Sequence, residues 1–157
     1  MAKAIVFDMD GTIADLYGVE GWLDYLHRED ETPYRVAAPL VDMVELVKVL
    51  NELRAHGYIV AIVSWLSKDS ESEFDYRVRA AKREWLARYN FPADEIHLVK
   101  YGTTKANCTR RHGFGQILFD DNAKVRAGWN IGTAHDVDNI LGVLNELLTG
   151  QNVEAVV

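Results

Sequence analysis

The sequence predicts an α/β fold with a parallel sheet flanked by helices, and two features of the chain carry that prediction. Apolar runs of strand length alternate with segments of helical period along most of its length. The runs themselves lack polar alternation, as expected of strands covered on both faces.

The first run, Ala4-Ile5-Val6-Phe7, ends at Asp8. Residues 18–28 place Val19, Trp22, Leu23 and Leu26 at helical spacing. From Arg28 to Pro39 the chain is polar, with the acids Glu29-Asp30-Glu31 and two prolines, and reads as loop. Pro39 is expected to open a long helix, where its fixed φ and missing donor cost nothing. Its apolar stripe is read as Leu40, Val44, Val47 and Leu50, broadened by Met43, Leu46 and Leu53. Gly57 stops it, and Tyr58–Val63 form a second strand that closes at Ser64.

A polar loop over 67–72 precedes a helix through Arg77, Ala81, Trp85 and Tyr89. Ile96–Val99 make a third strand. Thr103 or Thr104 caps a short helix that contains Lys105. Gln116–Phe119 form a fourth strand running into Asp120-Asp121, followed by a helix through Val125 and Trp129. A weak strand near Thr133–His135 and an amphipathic helix over 138–148 complete the pattern, with a frayed tail over 151–157.

A chain of 157 residues, 48% hydrophobic and 26% charged, fits one domain, here over 1–150. A net charge of −7 argues against a diffuse grip on nucleic acid, which recruits Lys and Arg. Cys108 is the single cysteine, so no intrachain disulfide forms. No run approaches the roughly 18–20 apolar residues of a membrane span, and the start does not resemble a cleavable signal. The expectation is a cytoplasmic protein without a membrane partner.

The chemistry concentrates where strands end. Asp8 and Asp10 follow the first strand, with Gly11 allowing a sharp turn. By itself Asp10-Gly11 reads equally well as a turn dipeptide. The fourth strand also stops in acids, Asp120 and Asp121. A helix cap needs only one such residue. If the two strands are neighbours, four carboxylates meet on one rim, where open α/β sheets collect ligands. Two unit charges at about 4 Å repel by roughly 4 kcal/mol at an effective dielectric near 20. A hard divalent cation or shared protons must relieve several such pairs. Oxygen donors without a matching His or Cys cluster favour magnesium over zinc.

In this order the motifs resemble the haloacid dehalogenase-like phosphatase superfamily. Asp8-Met9-Asp10-Gly11-Thr12 matches its first motif and Ser64, ending the second strand, its second. Lys105 matches the lysine of the third better than Lys100 does, and Asp120-Asp121 match the acidic pair of the fourth. The resemblance spans about residues 4–122 and implies a Rossmann-like parallel sheet with a minimal helical cap after the first strand. It implies Asp8 as nucleophile, forming an aspartyl-phosphate, and Asp10 as general acid and base. It implies Ser64 and Lys105 as phosphate ligands, and Asp8, Asp10, Asp120 and Asp121 as the magnesium site.

Insertions that build caps in this superfamily have little room here, so a small lid over 15–39 and an open site are expected. Tyr17, Trp22, Tyr25 and Tyr34 lie in that lid, and Trp65 follows Ser64. Aromatic faces beside a phosphate site stack bases. Trp65 and Trp22 are therefore the candidate substrate contacts, against the plainer reading of Trp22 as packing the lid. The organisation is similar to short-lidded 5′-nucleotidases and deoxyribonucleotidases, which implies a phosphomonoesterase for nucleotides or other small phosphate esters. It is also similar to the phosphatase domain of phage polynucleotide kinase, which implies a polynucleotide 3′-phosphatase as the rival. Arg77, Arg79, Lys82 and Arg83 would then meet a strand end, although such a run reads first as a solvated helix face. A non-catalytic phosphate-binding regulatory module is the reading of another class.

Overall fold

The computed structural model describes residues 3–68 and 71–156. Residues 69 and 70, within the polar loop expected over 67–72, and Val157 of the expected tail lie outside the described residues.

Five strands form one parallel sheet: β1 (Ala4–Phe7), β2 (Ile59–Trp65), β3 (Glu95–Val99), β4 (Gln116–Phe119) and β5 (Gly132–His135). Their order is β3-β2-β1-β4-β5, so β1 is central and β4 lies directly beside it. The register pairs Phe7 with both Ile62 and Phe119, which brings the ends of β1 and β4 level. The Asp8 amide donates to the Phe119 carbonyl at 3.0 Å, extending the ladder past the strand into the site. The reading of a parallel α/β sheet holds, and every expected strand is present.

Alternation along β1 feeds two cores. Ile5 and Phe7 point to one face with Val60 and Ile62, against α3 (Met43–Ala55), α4 (Ser72–Arg88) and α7 (Ile140–Val156). Ala4 and Val6 point to the other face with Ala61, Val63 and Leu118, covered by Ala106, Trp129 and Ile131. Two short helices serve that second face, α5 (Ala106–Thr109) and α6 (Ala123–Ala127). Trp129 lies beyond the end of α6 rather than within it. Gly132 is required by close approach, since a Cβ there would collide with the backbone of Gln116 on β4.

Several boundaries depart from the sequence reading. Pro39 does not open α3; Asp42 does, its side chain accepting from the Glu45 amide at 3.2 Å, while Pro39 bridges back to Ala14. The buried face of α3 is Met43, Leu46, Val49, Leu50 and Leu53, so Leu40 and Val44 are left 46% and 78% exposed. The acidic stretch after Arg28 is not all loop. Asp30 accepts from the amide and hydroxyl of Thr32 at 2.9 and 2.6 Å, just ahead of α2 (Thr32–Val36), with Pro33 in its first turn. Helix α7 runs to Val156, into the expected tail.

Between β1 and α3 the chain holds a 3-10 turn at Leu16–Gly18, α1 (Trp22–His27) and α2. This stretch is fastened to α4. Trp85 is wholly buried and donates its indole N–H to the Ala37 carbonyl at 2.8 Å. Arg77 binds Glu31 at 3.1 Å and the Glu29 carbonyl at 2.8 Å.

Candidate active site

The acids converge beyond the ends of β1 and β4. Carboxylate oxygens of Asp8, Asp120 and Asp121 all lie within 4.8 Å of one another. Thr12 ties the two segments together, donating to Asp8 Oδ2 at 3.0 Å and accepting from the Asp121 amide at 3.3 Å. The turn between Asp8 and Thr12 depends on Gly11, which holds φ at 82°. A Cβ there would also collide with the Asp121 carboxylate.

Lys105 stands between the acids. Its Nζ donates to Asp8 Oδ1 at 2.9 Å and to Asp120 Oδ2 at 2.7 Å, with the side chain buried. Burial works against its charge, yet the Asp8 and Asp120 carboxylates outweigh burial and hold its pKa above the ordinary lysine value. Lys100 is exposed and offers only its carbonyl, to Thr103, so Lys105 is the lysine the fold brings to the acids.

One ammonium does not relieve the whole cluster. Burial, then the charge of Asp8, push Asp120 up to about 6 against the pull of Lys105. Asp121, exposed at the rim of the cluster, is pushed up to about 7 by partial desolvation of its carboxyl, a hydrogen bond with Asp8 and the charges of Asp8 and Asp120. These are groups that protons or a cation must neutralise. Three clustered carboxylates with no sulfur or imidazole donor suit a hard, oxygen-seeking divalent ion such as magnesium.

Asp10 lies on the other side of Asp8, paired with a residue that sequence reasoning placed on a solvated face. Lys82 of α4 is fully buried, and its Nζ donates to Asp10 Oδ2 at 2.9 Å, Ser64 Oγ at 2.7 Å and the Trp65 carbonyl at 2.8 Å. Burial raises the pKa of Asp10; Lys82 lowers it and the Asp8 charge raises it further, with a net upward shift. The cationic run thus divides: Lys82 enters the site, Arg77 holds the 29–31 segment, Arg79 is half-buried and Arg83 is exposed. A signal existed, since Lys82 sits four residues after Val78 and three before Trp85, on the buried stripe of α4.

Above these groups opens a cleft of about 670 Å³. Asp8, Asp10, Lys105, Asp120 and Asp121 line it together with Tyr17, Trp22, Tyr34, Trp65 and Tyr101. Ser64 is wholly buried and does not line it. Trp65 is held by an indole bond to the Thr103 carbonyl at 2.9 Å, with its ring 4.9 Å from that of Tyr101. Tyr17 and Trp22 meet edge-on at 5.0 Å. Trp22 is half-buried and also touches the core, so it serves packing and cleft at once. Tyr25 is not among the lining residues. Ser67, beside the cleft, shares a 2.7 Å hydrogen bond with Tyr34.

The all-parallel sheet with helices on both faces is a Rossmann-like α/β fold. The chain shares that fold with the crystal structure of D,D-heptose 1,7-bisphosphate phosphatase from Burkholderia thailandensis, at a TM-score of 0.58 and 15% sequence identity. The match covers 94% of this chain and 99% of that one. No protein-family model matches the sequence, and no curated protein matches it. Among the described residues no helix is long and apolar enough to cross a membrane.

Proposed function

We propose that this chain is a magnesium-dependent phosphomonoesterase working through an aspartyl-phosphate on Asp8, with nucleotides or similar small phosphate esters as substrates. The observation that carries the reading is the placement of two carboxylates of different surroundings, Asp8 and Asp10, in one cleft beside Lys105, Asp120 and Asp121.

Asp8 attacks phosphorus, forming the bond from its carboxylate oxygen as the bond to the ester oxygen breaks. Asp10 gives its proton to that departing oxygen. In the second step a water attacks the phosphoryl group, Asp10 takes the water's proton, and the acyl-phosphate bond breaks to regenerate Asp8. A carboxyl whose pKa is raised by burial is suited to carry a proton near neutral pH. Lys105 steadies the charge that spreads over the phosphoryl oxygens, and Ser64 offers a hydroxyl at the end of β2. The carboxylates of Asp8, Asp120 and Asp121 and the Asp10 backbone carbonyl would hold magnesium. The ion would neutralise the crowded oxygens and the transferring group.

The aromatic walls favour a flat leaving group. Trp65, Tyr101, Tyr17 and Trp22 line the cleft that holds Asp8, and a nucleobase stacks on such faces. The structural neighbour acts on a sugar bisphosphate, which supports phosphate-ester chemistry on this fold without favouring its sugar here. A strand-end substrate has less support, since Arg77 is already engaged and Lys82 is buried.

The test is magnesium-dependent phosphate release across nucleoside monophosphates, sugar phosphates and 3′-phosphorylated oligonucleotides. Nucleotides should turn over best, and Asp8→Asn should lower turnover by roughly a thousandfold or more while the protein still binds phosphate. Undiminished turnover in that variant would refute the nucleophile. Preference for the oligonucleotide, with turnover falling steeply as salt rises, would move the reading to strand-end repair.

A further inference from the structure

Lys82 is a buried charge whose bonding is complete. An ammonium has three N–H groups, and the three acceptors at 2.7–2.9 Å account for all of them. The Tyr34 ring lies over it, with its centroid 5.0 Å from Nζ. Such a lysine has no donor left for a substrate oxygen. Burying it is costly unless the pairing is good. A methionine or leucine would fill the same stripe of α4 between Val78 and Trp85 without that cost, so packing alone does not call for a lysine.

The acceptors say what the charge is for. Asp10 lies just after β1, and Ser64 and Trp65 end β2. Lys82 reaches them from α4, so one ammonium joins three elements behind the cleft floor. Its bond to Asp10 occupies Oδ2 and fixes the rotamer of that carboxylate. Its bond to Ser64 uses the hydroxyl as an acceptor and leaves the hydroxyl proton for another partner. The same atom therefore ties the proton carrier to the end of β2.

We propose that Lys82 is a positioning residue that holds the Asp10 carboxyl in line with the leaving-group oxygen. This rests on the phosphatase reading above, and it goes beyond it in assigning a role to a helix residue that contacts no substrate. A group acting through Asp10 should matter only when Asp10 has a proton to deliver.

The experiment compares kcat/KM for two esters, an alkyl phosphate, whose leaving oxygen must be protonated, and 2,4-dinitrophenyl phosphate, whose leaving group departs unprotonated. Lys82→Met should lower kcat/KM about 100-fold for the alkyl ester, the size expected when a reacting group is misplaced by about an ångström. For the dinitrophenyl ester it should change less than about threefold on the same principle. Added to Asp10→Asn, the Lys82 change should cost almost nothing further, because the two act as one unit. That uncharged pair also serves if Lys82→Met alone does not fold. Equal losses on both esters, or a full further loss in the Asp10→Asn background, would overturn the proposal while leaving the phosphatase reading intact. A wild-type chain that hydrolyses neither ester with magnesium would remove both.

Discussion

Two buried lysines flank Asp8, and their surroundings differ in a way that separates two kinds of electrostatic work. Lys105 lies between two carboxylates, Asp8 and Asp120, on the β1–β4 side. Lys82 lies on the β1–β2 side with one carboxylate and two neutral acceptors. The first is a countercharge inside a cluster that still carries excess negative charge, as the raised pKa values of Asp120 and Asp121 record. The second forms a closed pair. Charge on the β1–β4 side should therefore respond to cations and pH, whereas the β1–β2 side should respond to geometry.

The largest effect expected from this contrast is on stability. Lys105→Met leaves Asp8 and Asp120 buried and unshielded, which should cost about 3–5 kcal/mol in urea unfolding without metal. Adding Asp120→Asn should restore part of it. A cost below about 1 kcal/mol would mean that the acids neither feel one another nor need the lysine.

Next in size is the response to pH. Asp120 and Asp121 have folded pKa values of about 6 and about 7, above the ordinary carboxylate value of 3.8. The folded chain thus holds protons that the unfolded chain releases. Their contribution to metal-free stability is complete below about pH 4 and is lost as pH rises through 6 and 7. On the proposed reading magnesium would compete for the same oxygens, so its affinity should climb by about tenfold per pH unit for each carboxyl that must lose a proton. Calorimetric titration at pH 5, 6, 7 and 8 reads this directly. A flat affinity would break the link between the cluster and the cation.

Smaller is the effect of the aromatic walls. Trp65→Ala should raise KM for a nucleotide by about 5- to 100-fold, the range of one lost stacking contact, and leave inorganic phosphate inhibition unchanged. Trp22→Ala should add a loss of thermal stability, because that ring also packs on the core. Equal effects of the two on KM with no difference in melting would erase the distinction between wall and packing.

The smallest is at the fastening of the 29–31 segment. Arg77→Ala breaks bonds to Glu31 and the Glu29 carbonyl that are partly open to solvent, and should cost about 1 kcal/mol or less. Proteolysis within 28–32 should quicken while turnover changes little.

The β1–β4 side was legible in the sequence because two strands without polar alternation both stop in paired acids. A parallel sheet brings such strand ends to a common edge. Lys105 was legible through its place in the motif order. The β1–β2 side was hidden. Lys82 reads as one of five cations on α4, and only its phase with Phe74, Val78 and Trp85 marks it as inward. Ser64 was legible, but its full burial was not, since burial depends on what α4 places over it. The start of α3 was misplaced because Pro39 suits a first helical turn in general, whereas here it is spent on a bridge to Ala14. Helix α2 was missed because acids and prolines read as loop, and only the bonds from Thr32 to Asp30 mark the turn that leads into it.

The place of β4 beside β1 has a consequence for synthesis on the ribosome. The edge of β1 that receives the Asp8–Phe119 hydrogen bond stays open until residue 119 has emerged. A nascent chain that has made β1, β2 and β3 holds Asp8 and Asp10 but neither Asp120 nor Asp121. Chains cut short before Gln116 should leave an unpaired strand edge and no complete acid cluster, so they should be recognised as unfinished rather than persist as weak enzymes.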